Sequence, residues 1–546
     1  MKLVNRLADP AQRASLEARS LRALARAGAL GLENPHKFAQ ILNAMRSYGP
    51  YGAAPRIAAL RHGGQTAIAD EFGQITFDEF EEQINRLTSA WMQKGLGPGA
   101  TIGILCRNHR APLIASFAAS RLGANAVWLN TAFSTRQVTE VAEREGVDFL
   151  VYDIEFTDAV AGISPARGKL ACATEDAGDD ELRKLIAGGD PRLTPAPAKP
   201  GRIVLLTSGT TGTPKGAPRP EPKSLTIPGA LLDRMPMKAR EATVIGPPLF
   251  HGTGLVIALL AISLGSTLVL RRKFEAGQFL DDLATHKATG ACVVPIMLQR
   301  VLALGEEDVR RRDLSALRVV FCAGSQLPAE VATKAQALLG PVIYNLYGST
   351  EVSVATLATP EDVRVAPQSV GRPALGAKIR IFDEAGKELP QGQTGRIFVG
   401  TTSPFEGYTG GGKKDVIDGL MSTGDVGHFD ANGRLFIDGR DDEMIVSGGE
   451  NVFPREVEEL LVTHEAIADA AAIGVDDEDF GKRLRAFVVL KPGQDVSEEA
   501  VQAFVKDNLA RYKSPREVLF LDDLPRNPTG KILKRELAEL EVPSST

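Results

Sequence analysis

Short runs of β-branched and aliphatic residues alternate with longer amphipathic segments through most of this chain, and that order leaves few architectures open. A strand, then a helix, then another strand implies a parallel sheet with helices on its faces. Residues 100–105 read as a buried strand and 111–122 as the helix after it, and 126–129 followed by 137–145 repeats the pattern. Further units start at 202–206 and at 290–295, the latter running into a helix over 297–304, and 317–322 adds another strand. From Gly371 the texture changes to strands separated by Asp-Glu-Ala-Gly, Pro-Gln-Gly-Gln-Thr-Gly and Asp-Ala-Asn-Gly, each a turn sequence, so hairpins or a small barrel are expected there. A composition break at 439–443 precedes about a hundred residues with their own pattern, a helix over 455–463 and strands over 468–475 and 485–490.

At 546 residues the chain exceeds the roughly 250–300 at which one core stops growing, so more than one domain is required. The expected fold is α/β: a large N-terminal domain (1–439) of parallel-sheet subdomains plus a small β-barrel-like subdomain, a hinge at 440–443, and a small mobile α+β domain (444–546). With 43% apolar and 24% charged residues, neither disorder nor fibre is indicated. A net charge of −5 gives no basic field for a nucleic acid, which is excluded as a partner. Cys106, Cys172, Cys292 and Cys322 show no zinc-site spacing and are expected to be buried thiols.

Arg19, Arg22 and Arg26 fall where a signal peptide needs an unbroken apolar run, and Asp9 and Glu17 where a transit peptide is poor in acids. A cytoplasmic protein is expected, with a surface helix at its start; peripheral membrane contact stays open. Residues 252–270 are uncharged and about as long as a bilayer span. Gly265, Ser266 and Thr267 interrupt them as a turn, so they read as a core helix (255–264) and a strand (268–270), and no transmembrane segment is expected.

The chemistry is concentrated after the strand at 202–206, which runs into Thr207, Ser208, Gly209, Thr210, Thr211, Gly212, Thr213, Pro214, Lys215 and Gly216. Glycines let backbone amides approach a polyphosphate, hydroxyls donate further hydrogen bonds, and a lysine adds a point charge. The loop is not a Walker A motif, because Lys215 is followed by glycine and not by the Ser or Thr that holds magnesium. A P-loop kinase is disfavoured on that ground.

This loop resembles the phosphate loop of the adenylate-forming superfamily: acyl-CoA synthetases, firefly-type luciferases and peptide-synthetase adenylation domains. Four further motifs follow in the superfamily's order. Tyr347, Gly348, Ser349, Thr350 and Glu351 resemble YGxTE, and Ser422 to Asp425 include its TGD. Gly439 and Arg440 with Ser447, Gly448, Gly449, Glu450 and Asn451 resemble the hinge region and the loop after it, and 525–531 resembles PxxxxGK. Residues 73–146 are similar to the N-terminal subdomain.

The resemblance implies an ATP-dependent ligase that makes an acyl-adenylate and then a thioester with coenzyme A. Under it Glu351 is a magnesium ligand with Thr207 nearby, Tyr347 offers a flat face to adenine, and Gly324, Ser325 and Gln326 form the adenine-side loop. Asp425 accepts from both ribose hydroxyls, as a carboxylate with two oxygens can, and Arg440 is the other ribose contact. Lys531, in a Gly-Lys turn, brings an ammonium to the charge that develops between carboxylate and α-phosphate. Asp442 is the hinge residue about which the small domain turns to present Ser447, Gly448 and Gly449 to CoA. Phe250, His251, Gly252 and Gly254 resemble the acid-binding motif, with His251 at the carboxylate end; 293–298 and 353–357 are candidates for the tunnel wall.

Two departures stand out. Residue 443 is Glu where Asp is common, and the chain after Gly216 reads APRPEPKSL in place of a run to histidine, so no role is assigned there. The small residues of the candidate wall segments 293–298 and 353–357 suit a chain more than a bulky ring and favour a medium- or long-chain fatty acid. The alternatives are an aryl or short-acid CoA ligase, an acyl-AMP ligase that loads a carrier protein, for which no inserted block is evident, a luciferase-like monooxygenase, and, in another class, a non-catalytic nucleotide-binding protein.

Overall fold

The computed structural model describes residues 10–31, 33–172, 180–207, 215–219, 224–402, 407, 414–441, 445–447, 450–477, 481–509, 513–527 and 530–540. Two largely parallel sheets form the bulk of the molecule. The first has six strands in the order Lys169–Cys172, Phe149–Asp153, Thr101–Leu105, Asn125–Trp128, Ile203–Thr207 and Lys215–Arg219, parallel except for the last. The second has nine; its six central strands, from Ile343–Ser349 across to Thr66–Asp70, are parallel, and antiparallel strands cap both edges. Central strands such as Gly290–Val293 and Val319–Cys322 are buried at every position, as sheets covered by helices on both faces must be.

The uncharged stretch at 252–270 is core as expected: the helix Gly252–Ser263, a turn with Gly265 at φ +63°, and the strand Thr267–Leu270. No helix among the described residues is long and apolar enough to cross a membrane. The β-barrel-like subdomain is a five-stranded antiparallel sheet in which Val416–Ile417, Gly395–Gly400 and Leu435–Arg440 all pair with Leu420–Phe429. Between Arg440 and Ile445 the chain passes to a fourth sheet, Ile445–Ser447, Glu450–Val452, Ile467–Asp477, Gly481–Leu490 and Glu517–Phe520, flanked by the helices Pro454–Leu461, Glu498–Asn508 and Lys534–Ala538. This α+β lobe has apolar clusters of its own, around Val457, Leu461, Ala486 and Val501 on one face and Phe487, Leu524 and Leu537 on the other.

Two helices stand ahead of the first sheet, α1 (Pro10–Arg26) and α2 (Pro35–His62). Asn34 caps α2 by accepting the Lys37 N–H at 2.8 Å. Gly49, at φ +69°, breaks α2 into two limbs directly before Pro50, as expected because proline disfavours helical backbone in the residue ahead of it.

Candidate active site

A cavity of about 2060 Å³ opens at the carboxyl ends of the parallel strands, where open α/β sheets place their ligands, and both lobes line it. At one end Tyr347 donates its hydroxyl to Asp425 Oδ2 at 2.5 Å. Asp425 lies opposite Arg440 across the antiparallel pair, and Arg440 Nη1 donates to its other oxygen at 3.2 Å. The carboxylate is thus held between a phenol and a guanidinium. Burial, reinforced by the negative charge of Asp425, pushes the Tyr347 phenol well above its ordinary range, so it stays protonated and donates.

Backbone geometry fixes the neighbouring residues. Gly348 has no room for a side chain, since a Cβ there would stand 1.9 Å from the Ser353 carbonyl oxygen. The Ser349 hydroxyl accepts the N–H groups of Glu351 at 3.2 Å and Val352 at 3.3 Å, closing a turn that sets Tyr347, Gly348, Ser349, Thr350 and Glu351 on the wall. Gly324, at φ +102°, begins the segment Gly324, Ser325 and Gln326 on the same wall, just beyond the strand Val319–Cys322. Thr207 and Lys215 face each other at the base of an antiparallel pair. Ser208, Gly209, Thr210, Thr211 and Gly212 lie outside the described residues, as do Asp442, Gly448 and Gly449; Ser447 ends a strand opposite Glu450.

Lys531 reaches this cavity from the small lobe. Its turn is closed by Asn527, whose N–H donates to the Lys531 carbonyl and whose Oδ1 accepts the Lys531 N–H, both at 2.9 Å. Gly530, at φ +78°, lies against the large lobe so closely that a Cβ would be 2.4 Å from Ile296 Cγ2. Gln326 also crosses the seam, donating to Glu459.

The opposite end is apolar. His251, just before the helix Gly252–Ser263, lies on the wall with its ring 4.5 Å from that of Phe250. Its Nε2 is buried without a hydrogen-bond partner, and burial lowers its pKa to about 4, so the imidazole is neutral near pH 7. From there the cavity follows one face of the helix, Gly252, Thr253, Leu255, Val256, Leu259, Leu260 and Ser263. At 1.5 Å per residue this is a run of about 16 Å. Two of the four acid-motif residues are not on the wall: Phe250 is buried in the main core, and Gly254 packs on the Pro247 and Pro248 carbonyls. Of the candidate wall segments, Pro295, Ile296, Ser353 and Val354 line the cavity, whereas Val293, Val294, Met297 and Leu298 belong to the core behind it.

Magnesium usually takes one or two carboxylates together with substrate phosphates, and Glu351, a carboxylate on the cavity wall, fits that requirement. The metal-type cluster among the described residues, Cys106, His109 and Asp153, is buried and lines no part of the cavity. His109 Nδ1 accepts the Ala111 N–H at 3.3 Å, so the 2.8 Å contact of its Nε2 with Asp153 is an N–H donation, and the ring is already satisfied. All four cysteines are free and buried, as expected.

Sequence reasoning missed several wall residues. Lys414 would stand 3.6 Å from a Cβ at Gly424, beside Arg440; its one signal is the Gly-Gly-Gly run before it. Ile41, Met45, Tyr51, Ala54 and Ile57 of α2 also line the cavity, and their apolar spacing at 41–57 was the readable sign.

Residues 56–409 match the AMP-binding enzyme family, and residues 456–531 match the AMP-binding enzyme C-terminal domain. The chain belongs to the AMP-binding enzyme family. It is an enzyme of the AMP-forming acid-ligase class with the adenylate-forming fold. A fatty acid–[acyl-carrier-protein] ligase, ScoC of Streptomyces coeruleorubidus, is 31% identical over 486 residues, 87% of this chain and 93% of that protein. A feruloyl-CoA synthase of an Amycolatopsis species is 30% identical over 491 residues, 89% and 96% of the two chains. The crystal structure of ATP-bound MatB from Rhodopseudomonas palustris superposes with a TM-score of 0.78 at 28% identity, covering 87% of this chain and 95% of that one.

Proposed function

We propose that this member of the AMP-binding enzyme family activates an extended apolar carboxylic acid, a medium- or long-chain fatty acid, with ATP and magnesium and then transfers the acyl group to coenzyme A. One observation carries the reading: the lysine of the small lobe, the Tyr347–Asp425–Arg440 cluster and a helix face about 16 Å long all border one cavity. With C–C bonds of about 1.5 Å, a run of that length suits a chain of roughly a dozen carbons.

In this reading Asp425 and Arg440 hold the ribose, and Tyr347 stacks on adenine opposite Gly324, Ser325 and Gln326. Ser349 and Thr350 with the loop Thr207, Ser208, Gly209, Thr210, Thr211, Gly212 and Lys215 cradle the phosphates. Magnesium, held by Glu351 and Thr207 together with the polyphosphate, would neutralise charge on the leaving pyrophosphate. The unpaired Nε2 of His251 donates to the acid's carboxylate and orients it. One carboxylate oxygen attacks the α-phosphorus as the bond to pyrophosphate breaks, and Lys531 offsets the charge shared between the two anions. The small lobe then turns about Asp442 and brings Ser447, Gly448 and Gly449 to CoA. The thiol sulfur attacks the acyl carbon, AMP leaves with the bonding electrons, and the thiol proton passes to solvent.

The relatives act, by their names, on acids and acceptors of several kinds, so the decisive experiment is a panel of aliphatic acids of graded length and of aryl acids such as ferulate. It is scored for pyrophosphate release and for thioester formation with CoA or an acyl carrier protein. Release that depends on long aliphatic acids, with CoA as acceptor, is expected. ATP binding with no acid-dependent release from any acid would overturn the reading.

A further inference from the structure

We propose that the first limb of α2, together with α1, is a docking surface for an anionic lipid membrane, through which the apolar acid enters the cavity. The inference rests on the apolar-acid reading above and goes beyond it. The family match begins at residue 56, so α1 and most of α2 lie outside the matched region, yet Leu24, Leu30, Ile41 and Met45 line the cavity. Leu30 is also 46% exposed, which puts an opening of the cavity at this helix pair.

The first limb of α2 is more apolar than its packing uses. At 100° per residue Ala44, Tyr48, Ile41, Met45, Phe38 and Leu42 fall on an arc of about 160°, interrupted at its buried edge by Lys37. One edge, Ala44 and Tyr48, is buried; the middle, Ile41 and Met45, lines the cavity; the other edge, Phe38 and Leu42, is 53% and 40% exposed. An apolar surface therefore continues from the cavity out to solvent. With Leu21 at 43%, residues 10–62 hold four of the twelve large apolar side chains exposed among the described residues, three on the helices and Leu30 between them, although they are about a tenth of the chain. That concentration marks a contact surface, since scattered exposed apolar residues need no explanation.

Charge selects the partner. Residues 10–62 hold eight Lys and Arg against Glu17 and Glu33, a net +6 in a chain of net −5. Arg19 and Arg26 pair with Asp233, and Arg61 and Lys37 with Glu33, while Arg22 of α1 and Arg46, one turn beyond Leu42 on α2, are exposed. A helix with an apolar edge inside a basic field has the composition of an interfacial helix on anionic lipid. An acidic carrier protein would meet the charge, but it gives no reason for an apolar strip continuous with the cavity.

The test is flotation of the full-length protein with vesicles of phosphatidylcholine alone, or of two parts phosphatidylcholine to one part phosphatidylglycerol. Binding to the anionic vesicles at about 0.1 M salt and its loss near 1 M are expected, because the screening length falls from about 10 Å to 3 Å. Phe38→Ser with Leu42→Ser, and separately Arg22→Glu with Arg46→Glu, should each weaken binding roughly tenfold. Both variants should leave pyrophosphate release from a water-dissolved acid unchanged, which shows that they fold. No binding to anionic vesicles, binding indifferent to both variants, or a dimer in solution that Phe38→Ser with Leu42→Ser dissolves would overturn the proposal. If acid-dependent pyrophosphate release is intact while vesicle binding is missing, this inference alone fails; if vesicles are bound but no acid supports release, the functional reading fails.

Discussion

At the polar end of the cavity, Tyr347, Asp425 and Arg440 hold one another by hydrogen bonds of 2.5 and 3.2 Å, and glycines such as Gly348 are dictated by backbone approach. At the apolar end the wall is Leu255, Val256, Leu259 and Leu260 with Ile41 and Met45, which can meet a ligand only through shape and water exclusion. Hydrogen-bonded sites need particular atoms at set places, whereas an apolar wall accepts most side chains of about the right volume. The two ends should therefore fail in different ways when altered.

The largest effect is expected from Lys531→Ala. Removing an aimed charge from a transition state costs roughly 10²–10³-fold, here read as acid-dependent pyrophosphate release. Thioester formation from supplied acyl-adenylate should stay within a few-fold of the parent, and equal loss of both steps would contradict a lysine that serves adenylation alone. Asp425→Ala comes next, with kcat/KM for ATP lowered roughly 10–100-fold through lost charged hydrogen bonds, for acids of every length alike. Leu259→Trp sharpens the contrast from the other side: kcat/KM for long acids should fall about tenfold or more while short acids and ATP are untouched. A uniform loss would show that this helix face does not measure length.

The smallest effect is one of stability and pH. The unfolded His251 imidazole takes up its proton near pH 6.5 and the folded one only near 4, so between these values the unfolded chain binds more protons. The stabilisation is full above about pH 6.5 and is lost as the pH falls toward 4, by at most about 3 kcal/mol. Urea unfolding at pH 7 and pH 5 should show that slope, and His251→Gln should flatten it.

Legibility from the sequence follows the same division. The strand and helix order could be read because buried parallel strands need unbroken apolar runs, as at Gly290–Val293. The motifs around Tyr347, Asp425 and Lys531 could be read because their spacing is local, and the fold brings them to one cavity. The apolar end could not be read as well. Phe250 and Gly254 adjoin His251 in sequence, yet they turn into the core and onto a carbonyl pair, while the wall draws on Ile41 and Met45, some two hundred residues earlier. Nothing in local spacing reports which face of α2 meets which face of the helix Gly252–Ser263.

The approach of Gly530 to Ile296 governs the spacing of the lobes. Because the large lobe already fills the space where any other residue at 530 would carry its first carbon, the lobes can seat Lys531 only in a narrow range of relative positions. A side chain at 530 would have to displace Ile296 or push the small lobe away and carry the Lys531 backbone with it, so the missing carbon at this position sets how closely the two lobes meet.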